Sequence, residues 1–133
     1  MASLDNAVIS ASLEDYLKAV FILQQQKEAV RMTDIAEILK VSRPSVTRAI
    51  GTLKESGFLN HETYGEITLT NTGNSHAKAI LRRHELLKDF LNVTLGVTSD
   101  NAEKDACKME HIMSNESIEK LSKFFSSLNN KDN

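Results

Sequence analysis

The sequence predicts a mainly α-helical protein with one small β-hairpin, in which a winged helix-turn-helix domain precedes a second, helical domain. Two short segments with helical periodicity follow capping residues and are separated by only about three residues. After Gly57 the apolar pattern becomes alternating, which indicates strands. The rest of the chain returns to helical periodicity. We expect the boundary near residue 71, with domains at 1–71 and 72–133.

The composition is that of a globular protein, since 41% of the 133 residues are hydrophobic and 26% are charged. The single cysteine, Cys107, excludes an internal disulfide and fits a reducing cytoplasm, where we expect the protein. No apolar run approaches the ~20 residues of a membrane span, and the segment after Met1 lacks the pattern of a targeting signal. We therefore expect no membrane partner.

The first helix is predicted from about Leu13 to Gln25 or Gln26. Ser12 and Asp15 have the spacing of a capping box, which gives Asp15 two interpretations: a cap of this helix, the simpler one, or a functional carboxylate. Residues 27–30 are interpreted as a polar connector. The apolar residues of this segment recur at intervals of three and four, as on one face of a helix: Leu13, Tyr16, Leu17, Val20, Phe21 and Leu23.

The next two helices form the predicted helix-turn-helix. Thr33 is predicted to cap a short helix that reaches Leu39. Ser42 is predicted to cap the following helix, with Pro44 in its first turn, where a missing N–H costs little. Gly57 ends this second helix.

The alternating segments 58–62 and 66–70 predict a two-stranded hairpin, with Tyr64 and Gly65 at its turn. A hairpin directly after a helix-turn-helix is a wing. Beyond it, a long helix is predicted from about Thr72 to Leu95, ended by Gly96. Two more helices, at 100–113 and 115–128, complete the chain, and Ser114 caps the second.

The exposed face of the second helix of the helix-turn-helix carries Arg side chains and hydroxyls, which suit the major groove of DNA. A merely solvated helix face is the alternative. Residues 31–83 carry eight basic and five acidic side chains, while both ends of the chain are acidic; scatter in a small protein explains this charge pattern equally well. The predicted DNA-binding residues are Thr33, Lys40, Ser42, Arg43, Pro44, Ser45, Thr47, Arg48, Lys54 and Tyr64.

Cys107, Glu110 and His111 have helical i, i+3, i+4 spacing, so a thiol, a carboxylate and an imidazole leave one helix face. Together these groups bind divalent transition metals. A buried cysteine beside a surface Glu and His is the simpler interpretation of these three residues alone. His84 could supply another ligand or be a packed helix residue. We expect no enzyme, because no phosphate-binding glycine loop, nucleophile elbow or His-Glu-x-x-His motif occurs.

Several of these segments, in this order, resemble the metal-dependent repressors of the diphtheria toxin repressor and manganese transport regulator family. The resemblance covers residues 13–125. The blocks that carry it are Glu14-Asp15-Tyr16-Leu17, Thr33-Asp34-Ile35-Ala36, Val41-Ser42-Arg43-Pro44-Ser45-Val46-Thr47, Leu69-Thr70-Asn71-Thr72-Gly73, Arg82-Arg83-His84-Glu85-Leu86-Leu87 and Cys107-Lys108-Met109-Glu110-His111-Ile112-Met113-Ser114.

The resemblance implies a winged helix-turn-helix domain, a helical dimerisation domain and a metal site between them that controls DNA binding. By position, it implies that the metal ligands are Asp15, His84, Cys107, Glu110 and His111. Cys107 matches the iron branch of the family and Asp15 the manganese branch, so Fe²⁺ or Mn²⁺ is the expected corepressor. Lys18 and Lys88 fall where the manganese branch places further acidic ligands, which puts a two-metal cluster in doubt. The SH3-like domain of the iron branch is not expected here.

The function that the resemblance implies is repression of metal-uptake genes by a metal-loaded homodimer on a palindromic operator. One alternative is a winged-helix regulator in which Cys107 senses oxidants or a small molecule binds between the domains. Another is a dimeric metal-binding or protein-interaction module that does not contact DNA.

Overall fold

The computed structural model describes residues 9–62 and 65–131, and it divides into two units whose boundary lies between Ala79 and Ile80. The described residues form six α-helices, one π-helical turn and one two-stranded sheet, which confirms the predicted fold class. The elements are α1 (Ala11–Gln26), α2 (Met32–Leu39), α3 (Arg43–Glu55), β1 (Leu59–His61), β2 (Ile67–Leu69), α4 (Asn71–Asp89), the π-helical turn (Phe90–Thr94), α5 (Ser99–Ile112) and α6 (Asn115–Lys131).

Helix α1 begins earlier than the sequence predicts. Its cap is Ser10, whose hydroxyl accepts a hydrogen bond from the backbone N–H of Leu13 at 3.2 Å. The predicted capping box of Ser12 and Asp15 is therefore wrong, because both residues lie inside the helix. The capping explanation for Asp15 is thereby removed.

The start of α2 also differs from its prediction. Thr33 is not the cap but lies within the first turn, since the helix begins at Met32. The backbone N–H of Arg31, which precedes the helix, donates to the Asp34 carboxylate at 2.9 Å. The same carboxylate accepts from Lys27 Nζ at 2.6 Å. The Asp34 carboxylate in the first turn thus bonds the backbone N–H at the start of α2, a capping role that the sequence assigned to Thr33.

The connection between α2 and α3 is as tight as predicted. Lys40 adopts the left-handed conformation with φ 57°, which ends α2. Ser42 caps α3 as expected, because its hydroxyl accepts from the backbone N–H of Ser45 at 3.3 Å, and Pro44 lies in the first turn. Gly57, with φ 86°, follows the end of α3.

Strands β1 and β2 pair antiparallel, with Asn60 opposite Thr68, and form the predicted hairpin in shorter form. Val30, which the sequence assigned to a polar connector, is 1% exposed and extends the sheet by one bridge: the N–H of Ile67 donates to its carbonyl oxygen at 2.8 Å. The side chain of Gln24 on α1 accepts from the Leu69 N–H at 3.1 Å. The wing is thus fixed by bonds on both sides of β2.

Apolar side chains from α1, α2, α3 and the hairpin form the core of the N-terminal unit. This packing fixes the orientation of the exposed face of α3, because the apolar residues on the opposite face are buried in the core. The core is lined by Ile9, Tyr16, Leu17, Val20, Leu23, Val30, Ile35, Val46, Ala49, Ile50, Leu53, Phe58, Leu59, Ile67 and Ala77.

The long helix predicted to reach Leu95 changes character in its last turn. After Asp89 the chain takes one π-helical turn, in which the N–H of Leu95 donates to the carbonyl of Phe90, five residues earlier, at 3.2 Å. Gly96, with φ 75°, then ends the segment as predicted. Helices α5 and α6 lie within a few residues of their predicted bounds, and the Ser114 hydroxyl accepts from the Ser117 N–H at 3.1 Å.

The buried residues of the C-terminal unit include polar groups as well as apolar ones. The apolar set contains Ala102 and Ala106 on α5 and Leu87 on α4, while His84 and Glu110 are buried polar residues. None of the helices in the described part of the chain has the length and apolar character needed to cross a lipid bilayer.

Candidate metal centre and DNA interface

The outer face of α3 presents two arginines and a threonine. Arg43, Thr47 and Arg48 are all exposed, while Val46 and Ala49 on the same helix are buried. The Thr47 hydroxyl donates to the carbonyl oxygen of Arg43 at 3.1 Å, so these residues follow one another along the helix surface. This is the arrangement expected of a helix that reaches DNA bases and phosphates.

The residues at the start of α3 have structural roles that the sequence partly predicts. The hydroxyls of Ser42 and Ser45 are 2.9 Å apart, and Ser42 also caps the helix. Pro44 is exposed and Ser45 is half-buried. Pro44 has no N–H and the Ser45 N–H is bonded to Ser42, so the start of α3 attracts a phosphate mainly through the positive end of the helix dipole. The predicted DNA contacts of these residues remain predictions.

The remaining predicted DNA-binding residues lie around α3. Thr33 on α2 and Lys40 in the connection are exposed. Lys54 is exposed near the end of α3, but its Nζ donates to the carbonyl oxygen of His61 in β1 at 3.1 Å, so it also ties α3 to the hairpin. Tyr64 lies outside the described residues.

In the C-terminal unit, three predicted ligands come together. His84 of α4 lies against Cys107 and Glu110 of α5, and one ligand atom from each residue lies within 4.8 Å of the others. The His84 Nδ1 atom is 2.8 Å from Glu110 Oε1 and 3.8 Å from Cys107 Sγ. The side chains of His84 and Glu110 are 8% and 0% exposed. The predicted clustering of this imidazole, thiol and carboxylate is therefore observed.

This donor set fits a divalent transition metal. Two ligands with bonds of about 2.0–2.3 Å to a shared ion are themselves roughly 3–3.7 Å apart, which is close to the separations around His84 Nδ1. A fully buried carboxylate such as Glu110 is costly unless it is paired or binds a cation. Nitrogen, sulphur and oxygen donors together suit Fe²⁺, Mn²⁺, Co²⁺ or Zn²⁺, and the thiol favours the softer of these ions.

His111 extends the cluster, whereas Asp15 belongs to the other unit. The His111 Nε2 atom is 3.4 Å from Glu110 Oε2, and its side chain is largely buried. Asp15 lies within α1 of the N-terminal unit. Its predicted role as a ligand is not tested by the geometry of the C-terminal unit and remains a prediction.

Glu103, one turn before Cys107 on α5, also contacts this cluster, although it is not among the ligands predicted from the sequence. Its Oε2 atom is 2.9 Å from His84 Nε2 and 3.6 Å from Cys107 Sγ, and its Oε1 atom is 3.3 Å from Lys88 Nζ. Burial by itself would raise the pKa of Glu103, but the hydrogen bonds and charges of His84 and Lys88 outweigh this effect and lower the pKa. The i, i+4, i+7 spacing of Glu103, Cys107 and Glu110 is the signal that could have revealed it.

Arg83 of α4 stabilises the end of α5 that carries two residues of this cluster. Its Nη1 atom donates to the carbonyl oxygens of Glu110 at 3.1 Å and Met113 at 2.8 Å, and its Nη2 atom donates to Asn115 Oδ1. The guanidinium therefore satisfies carbonyl groups at the end of α5 that have no helical partner and joins α4 to the start of α6. This fixes the end of α5 from which Glu110 and His111 project.

A winged helix with an exposed basic face, carried by the same chain as a largely buried cluster of transition-metal donors, defines a metal-responsive DNA-binding regulator. The chain belongs to the iron dependent repressor family. Residues 8–67 match the family's N-terminal DNA binding domain, and residues 70–131 match its metal binding and dimerisation domain. The family membership confirms the resemblance seen in the sequence and the predicted class of metal-dependent transcriptional regulator.

Relatives of known name agree with this assignment. The chain is 35% identical over 124 residues to an uncharacterised HTH-type transcriptional regulator of Methanocaldococcus jannaschii, covering 92% of this chain and 99% of that protein. It is 38% identical over 110 residues to the HTH-type transcriptional regulator MntR of Shouchella clausii, covering 83% and 76%. The structure of the manganese regulator SloR matches with a TM-score of 0.77 and 31% identity, over 86% of this chain and 53% of that one. The chain thus spans about half the length of this solved structure.

Proposed function

We propose that the protein is a transcriptional repressor that binds operator DNA when loaded with Fe²⁺ or Mn²⁺ and thereby represses metal-uptake genes. The observation that carries this proposal is the cluster of buried His84 and Glu110 with half-buried Cys107, in a chain whose other unit presents an exposed basic α3. It acts in the cytoplasm as a regulator and not as an enzyme, since its family is one of transcriptional repressors.

The ligand set that we propose extends the observed cluster. His84, Cys107 and Glu110 are the central ligands, and His111, beside Glu110, is a further one. Asp15 is proposed as an additional ligand from the resemblance, which its position inside α1 supports because it is not needed as a cap. When bound, a divalent ion supplies positive charge and a fixed coordination geometry.

Fe²⁺ and Mn²⁺ are both candidates for the physiological ion. The family is named for iron, whereas SloR is a manganese regulator. Cys107 favours Fe²⁺ over Mn²⁺, because a thiolate is a softer ligand than a carboxylate. Affinity measured in vitro follows the general order of divalent metals and by itself does not identify the ion used in the cell.

DNA recognition is proposed to use two copies of α3. A homodimer presents two such helices, and two helices one helical turn of DNA apart fit a palindromic operator. Arg43 and Arg48 supply contacts to guanine edges or phosphates, and the hydroxyls of Ser45 and Thr47 supply shorter contacts. Lys40 and Lys54 flank the groove as phosphate contacts, with Thr33, Ser42 and Pro44 near the backbone; Tyr64 is proposed at the wing.

The test is anaerobic selection of DNA from a pool of random duplexes by chelator-treated protein, with and without Mn²⁺ or Fe²⁺. We expect a palindrome to be enriched only when metal is added. Arg48→Ala is expected to weaken binding by about tenfold or more, since a good base contact contributes about 1–3 kcal/mol. Lys104→Ala, which removes an exposed positive charge from α5, is the matched control. Equal enrichment in chelator and in metal would contradict the metal switch.

A second set of variants tests the ligands against the oxidant-sensing alternative. Asp15→Asn and Cys107→Ser are both expected to weaken metal-dependent DNA binding, because each removes a proposed ligand. If Cys107 instead senses oxidants, Cys107→Ser abolishes the oxidant response and leaves DNA binding independent of metal. The contacts of Cys107 with His84 favour the metal site.

A further inference from the structure

We propose that Glu103, held by Lys88, is a positioning residue that orients His84 so that its Nδ1 atom is the metal-binding nitrogen. The inference rests on the proposed metal-binding role of His84, and it adds a residue that the family resemblance does not supply. It is argued from the contacts of both ring nitrogens of His84, which face different carboxylates.

The two nitrogens of His84 have distinct surroundings. Nδ1 faces Glu110 at 2.8 Å and Cys107 Sγ at 3.8 Å, which is the side where the donors of the candidate metal site converge. Nε2 faces Glu103 Oε2 at 2.9 Å, on the other edge of the ring. A hydrogen bond from Nε2–H to Glu103 leaves the lone pair of a neutral imidazole on Nδ1, where it can bind an ion.

Glu103 is itself held in place. Its second oxygen, Oε1, accepts from Lys88 Nζ at 3.3 Å, one turn beyond His84 on α4. The carboxylate therefore bridges two residues of α4 from its position on α5, and the Lys88 charge offsets its own. Its side chain is 47% exposed, compared with 0% for Glu110, so the two acids that flank His84 differ sharply in environment.

This difference separates a ligand from a supporting residue. A carboxylate that accepts the second N–H of a metal-binding histidine fixes the ring orientation and raises the basicity of the ligating nitrogen. Loss of such a partner typically lowers metal affinity by about 10- to 100-fold without removing any ligand. Glu103 meets the geometric requirement, because it bonds the nitrogen that points away from Glu110.

The test measures Co²⁺ affinity of the full-length protein by competition with a chelator, together with the thiolate-to-cobalt absorption band. Glu103→Ala is expected to lower Co²⁺ affinity by about 10- to 100-fold, with the absorption band retained at saturating Co²⁺ because Cys107 remains a ligand. Glu103→Gln is expected to keep most of the wild-type affinity, since its amide oxygen still accepts from Nε2–H. Asp105→Ala, an exposed acid on the same helix, is the matched control and should leave affinity unchanged.

A second readout follows the ring directly. In Zn²⁺-loaded protein, long-range ¹H–¹⁵N correlation spectra are expected to show His84 with its proton on Nε2 and the metal on Nδ1. In Glu103→Ala the Nε2 proton should exchange faster with water, and circular dichroism verifies that the variant keeps its helices. Wild-type affinity in Glu103→Ala, or a metal on Nε2, would overturn the positioning role. Because neither readout involves DNA, metal-independent DNA binding would contradict the proposed repressor function alone.

Discussion

Replacing Glu110 by Gln gives the sharpest test of the metal centre, because the change removes a buried charge while it keeps the side-chain shape. The Glu110 side chain is fully buried and lies 2.8 Å from His84 and 3.4 Å from His111. Gln can still hydrogen-bond to these rings, but a neutral amide is a much weaker ligand than a carboxylate for a divalent ion. We therefore expect stabilisation of the fold by metal to be lost.

The size of the effect follows from binding linkage. At a free Co²⁺ concentration 100 times its Kd, wild-type protein gains about 2.7 kcal/mol of unfolding free energy, which raises Tm by roughly 10 °C for a chain of this size. If the variant binds about 100-fold more weakly, the same Co²⁺ concentration gives about 0.4 kcal/mol and roughly 1–2 °C.

Without added metal, wild type and Glu110→Gln should differ less in unfolding free energy than they do with Co²⁺. The variant loses the charge interaction of Glu110 with His84, but burying its neutral amide costs less than burying a carboxylate.

The assay is thermal unfolding followed by circular dichroism, in chelator and at the stated Co²⁺ concentration. Glu119→Gln, an exposed position on α6, is the control and should keep the full wild-type shift. A Glu110→Gln protein whose Tm rises with Co²⁺ as much as the wild type would refute the assignment of Glu110 as a ligand. A variant that loses its helices already in chelator would point to a structural role of the buried carboxylate.

Two further predictions concern residues that support the two units. Asp34→Asn should lower the unfolding free energy by about 1 kcal/mol at pH 7, because the bonds of Asp34 to Lys27 and to the backbone of Arg31 hold its pKa below its usual value. This contribution is present above the unfolded pKa and is lost as pH falls through the lower folded pKa, so urea unfolding should show the difference shrinking in acid; a constant difference would contradict it. Arg83→Met should lower Co²⁺ affinity along with stability, because it frees the carbonyls at the end of α5, and chelator competition that shows wild-type affinity would contradict this role.

Local sequence signals predicted the helix-turn-helix well and the exact helix starts less well. Ser42 and Pro44 were placed correctly because a capping hydroxyl and a first-turn proline act on the residues next to them. At α1, Ser10 and Ser12 are both able to cap, and the helix starts two residues earlier than predicted, after Ser10. At α2 the carboxylate of Asp34, in the first turn, accepts from the backbone N–H of Arg31, so no side-chain cap at Thr33 is needed.

The other differences depend on contacts between distant residues. Val30 follows a mostly polar segment of the sequence, which gives no indication of a strand. Its bridge to Ile67 forms only because β2 lies beside it in the folded chain. The π-helical turn at 90–94 inserts a residue into the helical period, and the apolar pattern is too regular there to indicate it. Glu103 was missed for a similar reason, since its importance comes from His84 on another helix, 19 residues earlier in the chain.

At the proposed metal site, binding of an ion would replace bonds that the protein already makes. Every buried side-chain nitrogen and oxygen in the described part of the chain has a hydrogen-bond partner, and His84 Nδ1 is bonded to the same Glu110 that would bind the ion. Displacing a hydrogen bond to a charged group costs about 1.5–3 kcal/mol, which weakens metal binding by roughly 10- to 150-fold relative to unpaired donors. Weaker binding suits a metal sensor, because the sensor must release its ion when the concentration of free metal falls. The paired donors therefore favour a reversible switch over a permanent structural site.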